Sequence, residues 1–437
     1  MGKYQAYEKY KESGVEWLEA LPVHWEVKRT KAMFGLARVL VGKESKNYQL
    51  LSLTLRGVIL RDISDGGGKI PAEFDTYQIV RPKDLIFCLF DIDETPRTIG
   101  ISSNHGMITG AYNVYRALES CVPEYAYYYF MHIDSFKGLK PFYTGLRKVV
   151  RSETFSNIKI PVPSKDEQEK IANFLDHETA KIDTLIEKQQ QLIALLKEKR
   201  QAVISHAVTK GLNPNAPMRD SGVEWLGEVP EHWGVSKFNY EIDFLEGPGI
   251  LAYDFFEEGV PLLRIQNVKE DYVTDNYKTY LSPSKVMAKW NHFRVELGDL
   301  IISCSASTGL VSEVDSRCVG AIPYTGLIRL RPNSDRICKD YISFLVQSDL
   351  FFEQINVLQT GSTMQHFGPY HLEQMYVTLP PLEEQNILAL HIKKAVSDID
   401  LLVAKANQAV ELMQERRTAL ISAAVTGKID VRDWTAS

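Results

Sequence analysis

Residues 12–25 read ESGVEWLEALPVHW, and residues 220–233 repeat this stretch as DSGVEWLGEVPEHW. Nine of the fourteen positions are identical, whereas typical residue frequencies give about one match by chance. Two further boxes, PSKDEQ at 163–168 and RQAVISHAVT at 200–209, recur as PPLEEQ at 380–385 and RTALISAAVT at 417–426. Because the boxes keep their order, the chain is an internal duplication.

The length of the repeat predicts two domains. A repeat of about 210 residues is too long for a solenoid or propeller unit, so each half is expected to contain its own globular domain. Each half ends in a segment without Pro or Gly that is rich in Leu, Ile, Ala, Lys, Glu and Gln, roughly 166–209 and 383–426. This composition predicts two long helices. Prolines precede both segments, and Gly211 and Gly427 follow them, where helices commonly end.

Both helical segments carry apolar residues at seven-residue spacing, which is typical of a coiled-coil seam. A duplicated chain can bury two matching seams by pairing the helices antiparallel about a pseudo-twofold axis. The alternative is a pair of amphipathic helices that lie on their own domains. The predicted seam residues are Leu175, Ile182, Leu185, Leu192, Leu196 and Val203 in the first segment and Ile392, Ile399, Leu402, Met413 and Leu420 in the second.

The predicted fold class is therefore α/β, with two similar globular domains joined by two long antiparallel helices that form a coiled coil. Between the boxes the halves agree only weakly, which favours a shared scaffold with divergent surfaces. The predicted boundaries are 1–162 for the first domain, 163–211 for the central long helix, 212–219 for a linker, 220–379 for the second domain, 380–428 for the distal long helix and 429–437 for a tail.

The composition excludes several classes of protein. With 44% hydrophobic and 24% charged residues the chain is in the globular range. No apolar run approaches the roughly 18 to 20 residues that span a bilayer, and the amino terminus lacks the apolar core of a secretion signal, so a cytoplasmic protein is expected. Five widely spaced cysteines favour reduced core thiols over a disulfide framework or zinc site. The net charge of −6 means that any DNA contact must come from local basic surfaces.

The duplicated boxes resemble the specificity subunit of type I restriction–modification enzymes over about residues 10–430. The resemblance rests on Ser-Gly-Val-Glu-Trp-Leu with Pro-x-His-Trp, then a variable region, then Pro-x-x-x-x-Gln and a long helix ending in Ile-Ser-x-Ala-Val-Thr. It implies that each variable region is a target-recognition domain for one half of a bipartite DNA sequence. It also implies that the paired helices act as a ruler and dock modification (methyltransferase) subunits.

The same resemblance implies that this chain is not catalytic and binds no cofactor. S-adenosylmethionine, ATP and magnesium are expected on the modification subunits and on a motor–nuclease restriction subunit. The residues agree with this division. The string nearest to the Asn/Asp-Pro-Pro-Tyr/Phe motif of adenine methyltransferases is NPNA at 213–216, and Gly42-Lys43 lacks the first glycine and the Ser or Thr of a phosphate loop. The acidic run DIDE at 91–94 is interpreted as a solvated loop.

The stretch 137–152 is the basic candidate for contacting DNA in the first half, because it holds five Lys or Arg residues and no acid. Such side chains contact phosphates, and an arginine suits guanine. The predicted contacts are Lys137, Lys140, Thr144, Gly145, Arg147, Lys148 and Arg151. Thr144-Gly145 matches Thr360-Gly361, which predicts a second, uncharged contact loop with glutamines that suit adenine. Its residues are Gln359, Thr360, Gly361, Ser362, Thr363 and Gln365. A merely solvated basic loop is the alternative.

Because the two candidate loops differ in charge, an asymmetric DNA target with two different half-sites is expected. Trp17, Trp25, Trp225 and Trp233 belong to the repeated boxes and are interpreted as packing or partner-interface residues rather than base-stacking platforms. Two other functions stay open. One is a coiled-coil assembly scaffold that touches no nucleic acid, and the other is a solitary DNA-modifying enzyme.

Overall fold

The computed structural model describes residues 4–61, 73–144, 148–269, 271–304, 310–358 and 367–435. The chain divides into a first unit, residues 1–189 with 408–437, and a second unit, residues 190–407. This division falls inside both long helices, whereas the predicted boundaries assign each helix to a segment of its own. The reason is that each unit packs one end of each helix into its own hydrophobic cluster.

The first unit is a mixed α/β structure. Its main sheet is antiparallel and four-stranded, in the order 34–36, 113–117, 85–87 and 99–101. The described strands of this unit are Tyr10–Val15, Leu18–Pro22, Glu26–Arg29, Phe34–Leu36, Leu51–Thr54, Gly57–Leu60, Gln78–Val80, Leu85–Phe87, Ile99–Ile101, Gly106–Ile108, Asn113–Ala117 and Lys159–Val162. Its shorter α-helices are Pro123–Ser135 and Ser152–Asn157.

The second unit repeats this strand order. Its main sheet runs 242–246, 327–332, 300–303 and 311–313, and the strand 271–272 extends it in parallel. The described strands are Met218–Asp220, Glu228–Pro230, Gly234–Lys237, Ile242–Glu246, Val260–Leu263, Asp271–Tyr272, Tyr280–Leu281, Leu300–Ser303, Val311–Glu313, Ile322–Pro323, Leu327–Pro332 and Tyr376–Leu379. The shorter α-helices are Phe238–Glu241, Pro283–Lys285, Lys339–Leu345, Asp349–Leu358 and Pro369–Gln374.

Aromatic side chains fill the core of each unit. In the first unit Phe87 contacts Phe130 and Phe155, with ring centroids 5.0 and 4.9 Å away. Trp25 and Trp233 are 0% and 1% exposed, and Trp17 and Trp225 pack against buried apolar clusters. These placements agree with the interpretation of the repeated tryptophans as packing residues. The five cysteines are thiols outside any disulfide, and all except Cys338 are buried.

The first long helix spans Lys165–Lys210 and the second spans Leu382–Val425, close to the predicted 166–209 and 383–426. Each is followed by a glycine in the left-handed conformation, Gly211 with φ of 76° and Gly427 with φ of 71°. A glycine adopts this conformation without the steric cost that a Cβ brings, so both helices end where the sequence predicts. The helices of the described ranges all lack the combination of length and hydrophobicity that crossing a bilayer demands.

Each long helix has one buried or half-buried stripe in which steps of four and three residues alternate, the spacing of a heptad seam. The stripe of the first helix is Leu175, Thr179, Ile182, Ile186, Gln189, Ile193, Leu196, Arg200, Val203 and Ala207. The stripe of the second helix is Ile392, Val396, Ile399, Val403, Ala406, Val410, Met413, Arg417, Leu420 and Ala424. Eight of the eleven predicted seam residues lie on these stripes.

Leu185, Leu192 and Leu402 were assigned to the seam wrongly, since they are 51%, 43% and 49% exposed. The positions one residue further along, occupied by Ile186, Ile193 and Val403, are half-buried instead. The cause is that a seven-residue repeat does not fix the second row of seam positions, here called the second ladder. The second ladder lies either three or four residues after the first, and apolar side chains occupy both alternatives here.

Within each unit the two long helices meet through an ion pair. In the first unit Arg417 donates to the Asp183 carboxylate from Nε, at 2.8 Å to Oδ1, and from Nη2, at 3.3 Å to Oδ2. In the second unit Arg200 Nε lies 3.2 Å from Asp400 Oδ1. The carboxyl-terminal end of one helix shares a hydrophobic cluster with the amino-terminal end of the other in both units. The two helices therefore run in opposite directions in each unit.

Candidate nucleic-acid interface

The glutamine of the repeated Pro-x-x-x-x-Gln box fastens the start of the long helix to its unit. Gln168 Oε1 accepts a hydrogen bond from the Val122 amide at 2.9 Å, and its Nε2 donates to the carbonyls of Ser120 and Pro163. The second copy repeats all three bonds, with Gln385 joined to the Cys338 amide and to the carbonyls of Arg336 and Pro380. Both side chains are buried, so these contacts fix the scaffold.

A second repeated contact lies at one end of each main sheet. Asp84 is 2% exposed and accepts two hydrogen bonds from Arg116, at 2.8 and 2.7 Å, and one from the Arg81 amide. Asp299, 4% exposed, holds Arg331 and the Glu296 amide in the same way. In each pair the planar carboxylate and the planar guanidinium match in geometry, so two parallel hydrogen bonds can form. Asp84 and Asp299 each begin the sequence Asp-Leu-Ile in their half of the duplication, so this short identity between the boxes marks a shared polar contact.

The basic stretch 137–152 does not present all of its charge to solvent. Lys137 Nζ donates to the Thr95 carbonyl at 2.7 Å and to Asp134 Oδ1 at 2.8 Å, and its side chain is only 27% exposed. Thr144 is likewise engaged, because its amide and hydroxyl both donate to the Val149 carbonyl. Both residues hold the segment together.

Lys148 and Lys140 face the acidic run 91–94. Lys148 Nζ lies 3.3 Å from Asp93 Oδ2 and 2.9 Å from Glu94 Oε1, and Lys140 Nζ lies 3.8 Å from Asp93. The Tyr143 hydroxyl and then Lys148 lower the pKa of Asp93, while Glu94 and Asp93 raise the pKa of Lys148. The run 91–94 thus reaches the surface, as the interpretation of a solvated loop requires, but two of its carboxylates are paired with lysines of the basic segment. Sequence reasoning missed these ion pairs because the partners are about 50 residues apart.

Arg151 is exposed and forms no ion pair with a described residue. Gly145 and Arg147 lie outside the described residues, as do Gln359, Thr360, Gly361, Ser362, Thr363 and Gln365. The predicted contacts that the structure does place thus form one partly neutralised basic segment in the first unit. Other exposed cations of this unit form no ion pair with a described carboxylate. They include Arg38, Lys43, Lys46 and Arg56.

A surface depression of about 650 Å³ borders the basic segment. Lys148 and Asn113 contribute hydrogen-bond donors to its wall, and Asp91 and Glu94 contribute acceptors. Within the described ranges no group of three or more His, Cys, Asp or Glu side chains is arranged to hold a metal ion. The depression therefore presents hydrogen-bonding groups to a partner, and the described residues around it form no recognisable metal site.

The family model of the type I restriction modification DNA specificity domain matches residues 106–195 and 261–412, more than half of the chain. The chain belongs to this family. The two matched ranges lie one in each half of the duplication. Each contains the strand that carries Arg116 or Arg331 and extends through the glutamine box into a long helix.

Named members of the specificity family are similar along most of their length. The type I restriction enzyme MjaVIII specificity subunit of Methanocaldococcus jannaschii is 26% identical over 316 residues, 71% of each chain. The EcoKI specificity subunit of Escherichia coli K12 is 24% identical over 296 residues, 66% of this chain and 61% of that protein.

Solved structures share the fold. The HsdS subunit from Thermoanaerobacter tengcongensis aligns with a TM-score of 0.52 at 16% identity, covering 94% of this chain and 98% of that one. A chain from a structure concerned with complex assembly and conformational transition of the type I R-M system aligns with a TM-score of 0.69 at 15% identity, covering 94% and 99%. The specificity-family fold therefore extends over both units.

Proposed function

We propose that this chain is the DNA-reading subunit of a type I restriction–modification complex, in which each unit recognises one half of an asymmetric bipartite sequence. The observation that carries the proposal is the repetition of the Gln168 and Asp84 contacts in the second unit, where different side chains occupy the remaining surface. A duplicated scaffold with divergent surfaces suits two readers of different DNA sequence. Family membership supports the same conclusion.

We propose further that the two long helices pair as an antiparallel coiled coil that sets the spacer between the half-sites. The ion pairs Asp183–Arg417 and Arg200–Asp400 support this pairing, because an advance of 17 residues along the first helix corresponds to a retreat of 17 residues along the second. Adding one heptad near Gln189–Leu192 and another near Ala406–Ala409 lengthens such a rod by about 10 Å, or about three base pairs. We expect the non-specific spacer to grow while both half-sites stay the same. Altered half-sites would contradict the ruler.

The outer faces of the long helices are proposed to dock the modification subunits. Away from the seam these helices expose large apolar side chains, which mark interaction surfaces when they are contiguous. They are Leu185, Leu192 and Leu195 on the first helix and Leu382, Ile387, Leu390, Leu401, Leu402 and Leu412 on the second. Leu195→Glu and Leu390→Glu should abolish co-purification with the modification subunits, whereas Lys199→Glu serves as a charge control on the same helix.

This chain is proposed to be non-catalytic, with S-adenosylmethionine on the modification subunits and ATP and magnesium on the restriction subunit. The test is the pattern of methylated adenines in the source genome with and without the gene. We expect one two-part asymmetric motif that disappears on deletion. Identical half-sites, or methylation by the purified chain with cofactor alone, would contradict the proposal.

A coiled-coil scaffold without DNA contact is the second candidate, favoured by the neutralisation of Lys140 and Lys148 by Asp93 and Glu94. Phosphate contacts release counterions, so a DNA-reading complex loses affinity steeply as salt rises. We expect that salt dependence for the assembled complex. Binding that is absent at low salt would favour the scaffold.

A further inference from the structure

Arg264 differs from every other arginine of the second unit. The others each donate to a carboxylate, amide or carbonyl oxygen; they are Arg200, Arg219, Arg294, Arg317, Arg329, Arg331 and Arg336. The Arg264 guanidinium has no such acceptor among the described residues. A guanidinium carries five N–H donors, and a protein normally satisfies them. Its donors are therefore available to an acceptor from outside the chain.

Two aromatic rings hold this guanidinium in place. Its central carbon lies 5.5 Å from the centroid of the Phe255 ring and 5.2 Å from that of Tyr324. Aromatic rings attract a guanidinium by cation–π interaction and stacking, which orient the planar group without using its in-plane N–H donors. The side chain is thus held in position while its donors remain unused.

The backbone beneath Arg264 is also fixed. The Arg264 amide donates to Asn267 Oδ1 at 3.0 Å, and the buried Asn267 side chain donates in turn to the carbonyls of Thr274 and Asn276. The preceding residue, Leu263, accepts a hydrogen bond from the Tyr324 amide at 2.9 Å. Hydrogen bonds therefore hold the backbone of both Arg264 and its stacking partner Tyr324. An ordered backbone lowers the entropic cost of binding.

The sequence around Arg264 and Phe255 also exposes apolar side chains. Leu251, Tyr253, Phe256 and Ile265 are 61%, 72%, 45% and 51% exposed. Apolar side chains contact the methyl group of thymine, and aromatic side chains are enriched where surfaces recognise partners. This surface combines a held cation with apolar contacts, as base recognition requires.

The described part of the first unit has no arginine at the corresponding position. In the second unit the parallel bridge Leu262–Ile322 lies two residues before Arg264. The parallel bridge Leu50–Met107 is its counterpart in the first unit, and two residues later the chain carries Ser52. The segment 49–55 contains no Lys or Arg. Arg264 is therefore one of the features by which the two units diverge on a common scaffold.

We propose that Arg264 reads a guanine in the half-site of the second unit, through paired hydrogen bonds from its guanidinium to the O6 and N7 atoms exposed in the major groove. This inference rests on the proposed function and names a base class for one position. The uncharged loop 359–366 then cannot account for the whole of the second half-site, because Arg264 adds a positively charged contact.

The test measures methylated motifs in cells that carry the complete modification complex with wild-type chain, Arg264→Lys, Arg264→Gln or Arg264→Ala. Lysine keeps the charge but loses the planar fork, and glutamine has the hydrogen-bonding pattern that suits adenine. We expect Arg264→Lys to lower discrimination for guanine at one position roughly 10- to 100-fold. Arg264→Gln should move the preference at that position towards adenine, and the other half-site and the spacer should stay unchanged.

The matched control is Arg317→Ala, since Arg317 is 53% exposed and is held by Asp315. It should leave the motif unchanged. An unchanged motif in all three Arg264 variants would overturn the inference, as would weaker methylation with the same base preference, which indicates a phosphate contact. Loss of folding in all three, measured by thermal unfolding, would assign Arg264 to packing and overturn it as well. A wild-type complex that methylates no two-part sequence contradicts the proposed function itself.

Discussion

The two units carry the same glutamine contacts at the start of the long helix, but the indole nitrogens of the repeated Trp25 and Trp233 differ in their hydrogen bonding. In the first unit Trp25 Nε1 donates to Glu167 Oε1 at 3.0 Å, and Tyr7 and His24 contact the same carboxylate. In the second unit Glu384 is in contact with His232, whereas Trp233 Nε1 is buried without a partner among the described residues. The duplication thus preserved the packing of the ring more strictly than its hydrogen bond.

The same contrast holds for charge. The first unit pairs its basic segment with acids from 91–94, whereas the second unit holds Arg264 between aromatic rings with no acid. Both surfaces lie outside the repeated contacts of Gln168 and Asp84. A scaffold held by buried hydrogen bonds tolerates change elsewhere, because surface substitutions usually alter stability by less than about 0.5 kcal/mol. The recognition surfaces of the two units can therefore diverge while their buried scaffold stays the same.

The largest expected effect comes from exchanging one variable region. Replacing residues 26–160 with the corresponding region of a family member that has another target should replace one complete half of the methylated motif. The spacer and the other half should remain, because the long helices and the second unit are unchanged. Methylome sequencing gives the result, and exchange of residues 234–375 is the reciprocal control. A change in both halves after either exchange would break the division into two independent readers.

Removing the buried carboxylate of either repeated ion pair should destabilise the unit that contains it. Asp84→Ala and Asp299→Ala should each lower the free energy of unfolding by about 2–3 kcal/mol, because each removes the buried acceptor of an arginine and of a backbone amide. The loss at Asp299 should be the smaller of the two, since Arg331 keeps the Glu296 carboxylate at 3.2 Å. Denaturant unfolding measures the loss, and hydrogen exchange locates it in strands 85–87 and 113–117 or in strands 300–303 and 327–332. Asp84→Asn and Asp299→Asn, which keep one acceptor oxygen, should cost less. Equal loss of protection in both units from a single substitution would contradict this prediction.

The tryptophan comparison predicts a smaller difference. Trp25→Phe should cost about 1 kcal/mol more than Trp233→Phe, because only the first removes a hydrogen bond to a buried carboxylate. Both substitutions remove similar apolar volume, so each serves as the other's control in thermal or chemical unfolding. Equal costs would mean that the Trp25–Glu167 bond contributes nothing net.

The smallest effect concerns the acidic run. Asp93→Asn should release Lys140 and leave Lys148 paired with Glu94 alone, which raises the non-specific DNA affinity of the complex by a few-fold at low salt, with a steeper salt dependence. Asp75→Asn removes the same charge from an exposed position of the same unit and is the control. If both variants bind alike in a salt titration, the basic segment does not face DNA.

Sequence reasoning succeeded where the signal is local or periodic. The long helices followed from an uninterrupted composition between prolines and glycines, and their ends at Gly211 and Gly427 followed from the left-handed conformation that glycine adopts readily. Of the predicted seam residues, those spaced by seven from Leu175 and from Ile392 are buried or half-buried. The second ladder was assigned wrongly, since Leu185 and Ile186 are equally apolar and only the position of neighbouring backbone selects between them.

The candidate interface was less predictable, because charge in a folded chain depends on partners that are distant in sequence. A run of five cations predicts a basic surface, yet Lys137 is held by Asp134 and Thr95, and Lys148 by Glu94. Arg264 gave no signal, because a single arginine directly after an apolar strand is common. Its significance comes from what surrounds it, two rings and no acceptor among the residues that the structure describes.

The sequence by itself determined the duplication, the two long helices and the family, since identity between boxes and an unbroken helical composition are properties of the linear chain. The tertiary structure alone decided which seam positions are buried, which lysines are paired with a carboxylate and which arginine of the second unit has no acceptor among the described residues. These depend on distances between residues far apart in the chain, and coulombic and hydrogen-bond energies fall off over a few ångströms. Spacing along the sequence does not report such distances.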